Sequence, residues 1–487
     1  MFKKILIANR GEIAVRCIRA CHALGIRAVA VYTRHDTASL HRMLADEAMP
    51  VRDYLDGREL LQVARQTRCD AVFPGYGFLS ENSRFARSSA RQCAWIGPSH
   101  TAIDRLGDKA RARRIMESMG VPVVPGSPGE VKSLAKAVVA AEKIGYPIMI
   151  KAAAGGGGKG MRIAEAPDRF PALFEEAQRE AEAFFAHDAM YLERFIVNPK
   201  HIEFQVLGDS HGHVVHLGTR ECSVQRRHQK MIEEGPAPSL SDAKRDSIGA
   251  KIVHALERER YTGAGTLEFI YDGKNLYFIE VNTRVQVEHP VTELVTGVDI
   301  VKSMIRVAAG EELGLSQADI RYRGHVIECR INAEDPADGF LPAPGRIDRM
   351  EVPRGPGIRI DTALYHGYEI PSRYDSLIAK VLCQADNREA SLALMRETLD
   401  AYVIEGDDLA TTIPFLRRIL DEDTFRDGTY TTGLVEAMLE RERQAEARRV
   451  AREHKRRKRN LLERLVHADT LRGMIEHSIS RGGNDLH

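Results

Sequence analysis

Between Glu280 and Glu288 the polar residues fall on every second position: Glu280, Asn282, Arg284, Gln286 and Glu288, with Val281, Thr283, Val285 and Val287 between them. Successive side chains of an extended chain point to opposite faces, so the pattern predicts five polar groups along one face of a strand. A strand facing plain solvent would more ordinarily repeat Lys, Glu or Thr than set an acid, an amide and a guanidinium in series. The row reads as a site for a metal and an anion.

The segment before it supplies a second carboxylate. Gly265 to Tyr271 is strand-like, Asp272-Gly273 is a turn, and Leu276 to Glu280 returns, which is a hairpin. Register decides what the hairpin can do. An even-length loop would point Glu268 and Glu280 to opposite faces, whereas a three- or five-residue loop sets Glu268 opposite Phe278 and keeps both acids on one face. The odd-length loop is expected. Glu268, Glu280 and the Asn282 amide oxygen are then hard oxygen ligands that suit Mg2+ or Mn2+ held jointly with substrate phosphates.

Upstream, the apolar run Pro147-Ile148-Met149-Ile150 leads into Lys151-Ala152-Ala153-Ala154-Gly155-Gly156-Gly157-Gly158-Lys159-Gly160-Met161. Glycine costs roughly 0.5 to 1 kcal/mol relative to alanine in a regular element, so a merely structural loop has little reason to carry the whole run. Phosphate contact supplies a reason. Bare backbone can approach phosphate oxygens, donate N–H groups and hinge as a lid, while Lys151 and Lys159 add charge. A flexible linker would be longer and Ser-rich, and a P-loop would need Gly-Lys-Ser/Thr.

Lys4 to Ala8 reads as a strand, Glu12 to Leu24 as a helix closed by Gly25, and Arg27 to Tyr32 as a second strand. Ala71-Val72-Phe73 and Ala94-Trp95-Ile96 continue this to about residue 103, giving a doubly wound α/β domain. The first turn offers only Gly11, which disfavours a dinucleotide-binding dehydrogenase. A second region runs from 104 to about 320, and a third, of α+β character, from 321 to about 438. His325 to Arg330 is expected as a strand and Asn387 to Ala401 as a helix. With 487 residues and 43% hydrophobic content the chain has material for about three domains. Lys+Arg 70 against Asp+Glu 69 gives no global basic field for nucleic acid. Seven scattered cysteines without a C-x-x-C pair read as reduced thiols of a cytoplasmic protein, and no stretch approaches membrane-spanning length.

Six blocks occur in order: Ile7 to Ala14, Pro74 to Asn82, the Gly-rich loop, Gln225 to Lys230, Arg284 to Pro290, and Glu328 to Pro336. Together they resemble the biotin carboxylase family of ATP-grasp enzymes from about residue 3 to about 438. The resemblance implies an N-terminal pre-ATP-grasp domain (1–103), an ATP-grasp domain (104–320) with a mobile lid at about 124–196, and a C-terminal biotin carboxylase domain (321–438). It also implies ATP, bicarbonate and Mg2+ or Mn2+ as ligands, with biotin arriving on another protein.

Roles carry over residue by residue. Lys109 and Lys151 match phosphate-binding lysines, and Gly157, Gly158 and Met161 belong to the nucleotide loop. Glu193, Arg194, Phe195 and Ile196 match the adenine segment, His201, Gln225 and His228 the groups around ribose and phosphates, and Ile270 a further nucleotide position. Thr431 stands where the family usually has an apolar adenine contact. For bicarbonate the chain offers Lys230, Arg284, the Gln286 side chain and the Val287 N–H, with Glu288 as general base. Arg330 matches the arginine that stabilises the biotin enolate, with Tyr76, Gly77 and Gln286 walling the ring, although pairing with Glu328 or Glu334 would also employ it.

No Met-Lys-Met biotinylation string is present; Ala437-Met438-Leu439 has leucine where the lysine would be. A separate biotin carboxyl carrier protein and a separate carboxyltransferase are therefore expected, as in split acetyl-CoA carboxylase or two-subunit pyruvate carboxylase, and the resemblance suggests a homodimer. A carbamoyl-phosphate-type ligase and a catalytically silent ATP-binding scaffold are the other readings. Residues 439–487 form a basic, helix-favouring extension whose Leu461, Leu462, Leu465, Val466, Leu471 and Met474 suggest a short docking face.

Overall fold

The computed structural model describes residues 1–152, 161–185 and 187–482. Its first layer is a parallel sheet of β1 (Lys4–Ile7), β2 (Arg27–Tyr32), β3 (Glu47–Pro50), β4 (Ala71–Phe73) and β5 (Ala94–Trp95), in the order β3-β2-β1-β4-β5. Helix Gly11–Ala23 buries Ile13, Ala14, Cys17, Ile18 and Cys21, an apolar stripe at helical spacing. These elements fall within a residue or two of their expected bounds. A parallel sheet concentrates ligand-binding loops at the carboxyl ends of its strands, and two of the sequence blocks meet there. Asn9, just past β1, donates through Nδ2 to the carbonyls of Pro74 and Tyr76, both at 2.7 Å. Gly75 must be glycine at this crossing, because its φ is +64° and a Cβ would lie 2.8 Å from Asn9 Nδ2.

A small antiparallel sheet follows, of β6 (Ile148–Ala152), β7 (Arg162–Ala164) and β8 (Met190–Arg194), in the order β7-β6-β8. Helices Leu134–Ile144 and Phe170–Phe185 pack on it through Ala137, Ala141, Phe170, Phe174, Ala177 and Ala181. Gly157 and Gly158 lie outside the described residues.

The centre is an antiparallel sheet of β9 (Lys200–Gly208), β10 (Val214–Arg226), β11 (Gln229–Gly235), β12 (Gly263–Tyr271), β13 (Leu276–Asn282), β14 (His325–Asn332) and the strands Leu377–Ala385 and Ile358–Thr362. β11 pairs directly with β14, so one sheet runs past residue 320. Helix Arg388–Ala401 is capped by Asn387, whose side chain accepts from the Ala390 N–H.

Two expectations are corrected here. The hairpin loop Asp272–Asn275 is even in length, and Phe278 lies opposite Phe269, not Glu268. A bulge at Ile279 then absorbs one residue and brings Glu280 directly opposite Glu268, so the two acids share a face although the loop alone would separate them. The polar row is also not one strand. β13 ends at Asn282, the chain turns through 283–288, and helix His289–Thr296 begins with Glu288 at its N-cap position.

A second compact unit, Gly433–His487, contains helix Leu434–Gly482. On it Leu471 and Met474 are exposed, and Arg449 pairs with Glu446 and Glu453 one turn away on either side. The side chains of Leu461, Leu462, Leu465 and Val466 lie outside the described residues. Among the described residues no helix is long and apolar enough to cross a membrane.

Candidate active site

Lys230, on β11, is the hub of the charged cluster. Its Nζ lies 2.8 Å from Glu288 Oε1 and 3.1 Å from Glu268 Oε1, and it also contacts Glu203 of β9. Burial opposes the ammonium charge, but Glu203, Glu288 and Glu268 hold it well above the ordinary lysine range. The same logic acts in reverse on Glu288. Burial disfavours its carboxylate, yet Lys230 first and Arg330 after it hold its pKa below the usual value. Arg330, on β14, reaches Glu288 Oε2 at 2.8 Å through Nη2 and Glu233 Oε1 at 2.5 Å through Nε. Among the described residues it forms no ion pair with Glu328 or Glu334; Glu334 is held by Asn332 and Ser376.

The turn after β13 bends the polar row without scattering it. Asn282 Nδ2 and Gln286 Nε2 both donate to Glu268 Oε1, at 2.8 and 2.9 Å. Arg284 Nη2 donates to Asn282 Oδ1 at 3.0 Å, and its Nε donates to Glu81 Oε2 at 3.0 Å. Glu280 pairs with Lys109 Nζ at 2.5 Å. His201 lies 3.2 Å from Glu268 Oε2 and 3.4 Å from Glu203 Oε1. Burial works against its charge, but these two acids raise it to about 9. Glu268 is pushed down, against burial, by Lys230 and His201.

Two cavities flank this cluster. One, of about 490 Å3, is lined by Glu81, Asp108, Lys109, Glu280 and Asn282. The other, of about 530 Å3, gathers Tyr76, Gly77, Arg284, Val287 and Arg330 with Glu12 and Asn9. The Tyr76 hydroxyl donates to Glu12. Lys380, fully buried, donates to the Val287 carbonyl at 2.8 Å and pairs with Glu12 at 3.1 Å, which pins the peptide leading into Glu288.

The expected nucleotide residues form a separate neighbourhood. Lys151 of β6 pairs with Glu193 of β8, and Arg113 approaches Glu193 at 3.6 Å. The backbone N–H groups of Arg194 and Phe195 donate to the carbonyls of Pro125 and Pro147, both at 2.8 Å. Ile196 packs with Val124, Tyr277 and Ile270 in a small apolar cluster. Gln225 is buried and donates to the Cys222 carbonyl at 2.7 Å, while His228 sits with φ of +68° in the turn between β10 and β11. Met161 is exposed, and Thr431 is half-buried just after Tyr430.

Three residues of this site escaped the sequence reading. Arg220, with a 0% exposed side chain, donates to Glu203, Gln205, Thr292 and Gln286, so it orients the Gln286 amide and neutralises Glu203. Glu203 binds Lys230, and Glu81 holds Arg284. Glu203 belongs to an alternating polar row on β9, His201, Glu203 and Gln205 between Ile202, Phe204 and Val206, which was the available signal; the mixed sequence of β10 offers none for Arg220. Glu81 lay in the Pro74 to Asn82 block but carried no chemistry of its own.

A three-strand sheet ahead of an antiparallel sheet that gathers acids and lysines is an ATP-grasp arrangement, and comparison with known proteins narrows it. Three family models match in chain order: "Biotin carboxylase, N-terminal domain" over residues 1–103, "Carbamoyl-phosphate synthase L chain, ATP binding domain" over 108–316, and "Biotin carboxylase C-terminal domain" over 328–437. The 2-oxoglutarate carboxylase small subunit of Hydrogenobacter thermophilus is 50% identical over 443 residues, covering 90% of this chain and 93% of that protein. A pyruvate carboxylase subunit of Methanothermobacter thermautotrophicus is 45% identical over 460 residues, covering 93% of this chain and 93% of that protein. Among solved structures, the biotin carboxylase domain dimer of the Hydrogenobacter 2-oxoglutarate carboxylase, in complex with MgADP, ADP and bicarbonate, superposes with a TM-score of 0.80 at 49% identity, covering 90% of this chain and 98% of that one. The chain belongs to the biotin carboxylase family, a family of ligases.

Proposed function

We propose that this chain uses ATP and bicarbonate to carboxylate biotin on a separate carrier protein, through carboxyphosphate. The observation that carries the reading is the convergence of Lys230, Glu288, Arg330 and Gln286 beside a cavity that also holds Arg284, Val287, Tyr76 and Gly77. Arg284 and Lys230 supply charge for a planar anion, and the Gln286 amide and Val287 N–H supply further donors. Glu288 takes the bicarbonate proton. The freed oxygen attacks the γ-phosphorus of ATP and ADP leaves, a transfer that needs positioning and charge neutralisation more than covalent help. Carboxyphosphate then divides into carbon dioxide and phosphate. The phosphate takes the ureido N–H proton, Arg330 stabilises the enolate oxygen, and the biotin nitrogen attacks carbon dioxide.

Lys109, Lys151, Glu193, Ile196, Ile270, His201, Gln225, His228 and Thr431 are assigned to the nucleotide. The Ile196 and Ile270 cluster supports an adenine slot, and the Lys109 and Glu280 pair marks where phosphate charge would be met. The donor set of Glu268 and Glu280, opposite one another across the ladder, with the Asn282 amide oxygen fits a hard divalent cation. Mg2+ or Mn2+ held there would neutralise charge on the triphosphate. The MgADP and bicarbonate of the Hydrogenobacter structure support this ligand set, and its dimer supports a homodimer here.

The parent enzyme is a multi-subunit carboxylase, as the two relatives named as subunits suggest, with the carrier and the carboxyltransferase on other chains. Seven unpaired cysteines support a reducing, cytoplasmic setting, and the chain divides functionally near residues 103, 320 and 438. Bicarbonate-dependent ATP hydrolysis stimulated by free biotin tests the reading. Stimulation by ammonia instead would transfer it to a carbamoyl-phosphate-type ligase, and hydrolysis indifferent to both would leave only a nucleotide-binding scaffold.

A further inference from the structure

Glu233 and Glu328 lie directly opposite one another on β11 and β14, on the face of the central sheet that also carries Arg330 and Lys380. Both carboxyl groups are fully buried. Glu233 uses Oε1 for Arg330, and among the described residues its Oε2 has no hydrogen-bond partner. Neither oxygen of Glu328 has one among them. Directly opposed side chains in an antiparallel pair have Cβ atoms about 4.5 to 5.5 Å apart, so the two carboxyl groups are neighbours across a single ladder step.

Two buried like charges at that spacing, one of them without a single donor, are far less stable than one charge and one acid. The charged groups around them do not change this. Glu233 faces Arg330, Glu288 and Lys230; Glu328 faces Glu233, Lys380, Arg330 and Glu288. Lys230 is already committed to Glu203, Glu268 and Glu288, and Lys380 to Glu12 and the Val287 carbonyl.

We propose that Glu233 is a positioning residue that aims Arg330 into the biotin cavity, and that Glu328 backs it as a neutral carboxylic acid directing its proton at Glu233. The pair then carries one negative charge. Arg330 can release Glu288 and offer the freed N–H to a substrate oxygen while Nε and Nη2 both stay against Glu233 Oε1. Burial, followed by the charge of Glu233, pushes Glu328 well above the ordinary carboxyl range, and burial lifts Glu233 to about 7 against the pull of Arg330. The alkaline side of the pH profile is where this arrangement should fail. Ionising Glu328 would place a second charge beside Glu233 and pull Arg330 back from the cavity.

The inference rests on the assignment of Arg330 to biotin for its consequence, but not for the shared proton. Infrared spectroscopy of the whole chain near pH 7.5 should show a protonated-carboxyl band that disappears in Glu328→Gln. Should that variant fail to accumulate, Glu233→Gln should shift the same band, because it replaces the proton's acceptor. In steady-state assays Glu233→Gln should raise the KM for free biotin or lower biotin-stimulated kcat by about tenfold, one decade on the usual free-energy scale, with the KM for ATP unchanged. Glu328→Gln should move the alkaline limb of the biotin-stimulated rate upward or abolish it. A band that neither variant alters overturns the shared proton. A Glu233→Gln enzyme with wild-type biotin kinetics overturns the positioning role even where the band behaves as expected. Absence of biotin-stimulated turnover in the unaltered chain would instead refute the parent reading.

Discussion

Glu288→Gln isolates the chemistry of the proposed base from the architecture around it. The Glu288 residue is 2% exposed, with one oxygen 2.8 Å from Lys230 and the other 2.8 Å from Arg330. Replacing it removes a proton acceptor but orphans neither cation, since Lys230 keeps Glu203 and Glu268 and Arg330 keeps Glu233. The glutamine oxygen can still accept from one of them. The stability loss should accordingly be on the order of 1 to 3 kcal/mol, the range for weakening hydrogen bonds to charged groups, below the cost of a stranded buried ion. The rate should fall much further. A positioned general base contributes about 10^2 to 10^4, or about 3 to 5 kcal/mol of barrier. The assay is biotin-stimulated, bicarbonate-dependent ADP release, with ATP affinity measured by calorimetry on the same protein. Nucleotide affinity should stay within about threefold, under 1 kcal/mol, because Lys109 and Lys151 are untouched. Wild-type turnover in a folded Glu288→Gln protein would refute the assignment, and a matching collapse of ATP binding would show that Glu288 acts through the site's structure.

Arg220→Met should destabilise the chain by about 3 to 5 kcal/mol, because it strips Glu203, Gln205 and Gln286 of a fully buried donor, and urea unfolding would register it as a lower midpoint. An unmoved midpoint would argue against the hub. Lys109→Met should change stability little, since the lysine side chain is 73% exposed, yet weaken ATP binding by about tenfold in calorimetry; equal affinity would remove Lys109 from the phosphate set. Glu234 is buried, which raises its pKa, but hydrogen bonds and charge from His325 and Arg388 outweigh burial and bring it down to about 2 from 4.5. Its folded value is the depressed one, so its contribution is present above about pH 4.5 and is lost as the pH falls through about 2. On the order of 3 kcal/mol is at stake, and Glu234→Gln should flatten the acid limb of a stability–pH curve. An unchanged acid limb would refute that contribution.

Four of the five strands of the parallel sheet were legible from sequence because β1, β2, β4 and β5 are largely buried apolar runs and the helix closes on a glycine, signals that local periodicity carries; β3, Glu47–Pro50, has no buried residue and gave no such signal. The hairpin between Tyr271 and Leu276 shows where local reasoning stops. The parity argument used loop length alone, and a bulge at Ile279, which leaves no mark in the continuous apolar run Leu276 to Ile279, restored the shared face by another route. The polar row from Glu280 to Glu288 contains its members' convergence but not their geometry. Thr283 is fixed by Glu81, 202 positions earlier in the chain, through its N–H at 3.0 Å, and that long-range bond helps end the strand. Arg220 and Glu203 went unassigned for a related reason. Each is intelligible only beside the other, and nothing within either strand announces the partner.

The cluster also resolves a tension in asking Glu288 to be both ionised and basic. Held by Lys230 and Arg330, the carboxylate is kept ionised, which also makes it a weak acceptor for a proton. An incoming bicarbonate is itself an anion. Lodged between Arg284 and Lys230, it would draw on the same cations and lessen their hold on Glu288, so basicity rises when there is a proton to take. Glu203 limits the effect from the other side, because, braced by Arg220 of β10, it keeps Lys230 anchored to β9 while Glu288 changes charge. Removing that anchor should therefore affect the pH dependence of the bicarbonate step before it affects nucleotide binding. Glu203→Gln, assayed for bicarbonate-dependent turnover from pH 6 to 9, should shift the acidic limb, and a profile that only scales down uniformly would show that Lys230 needs no such tether.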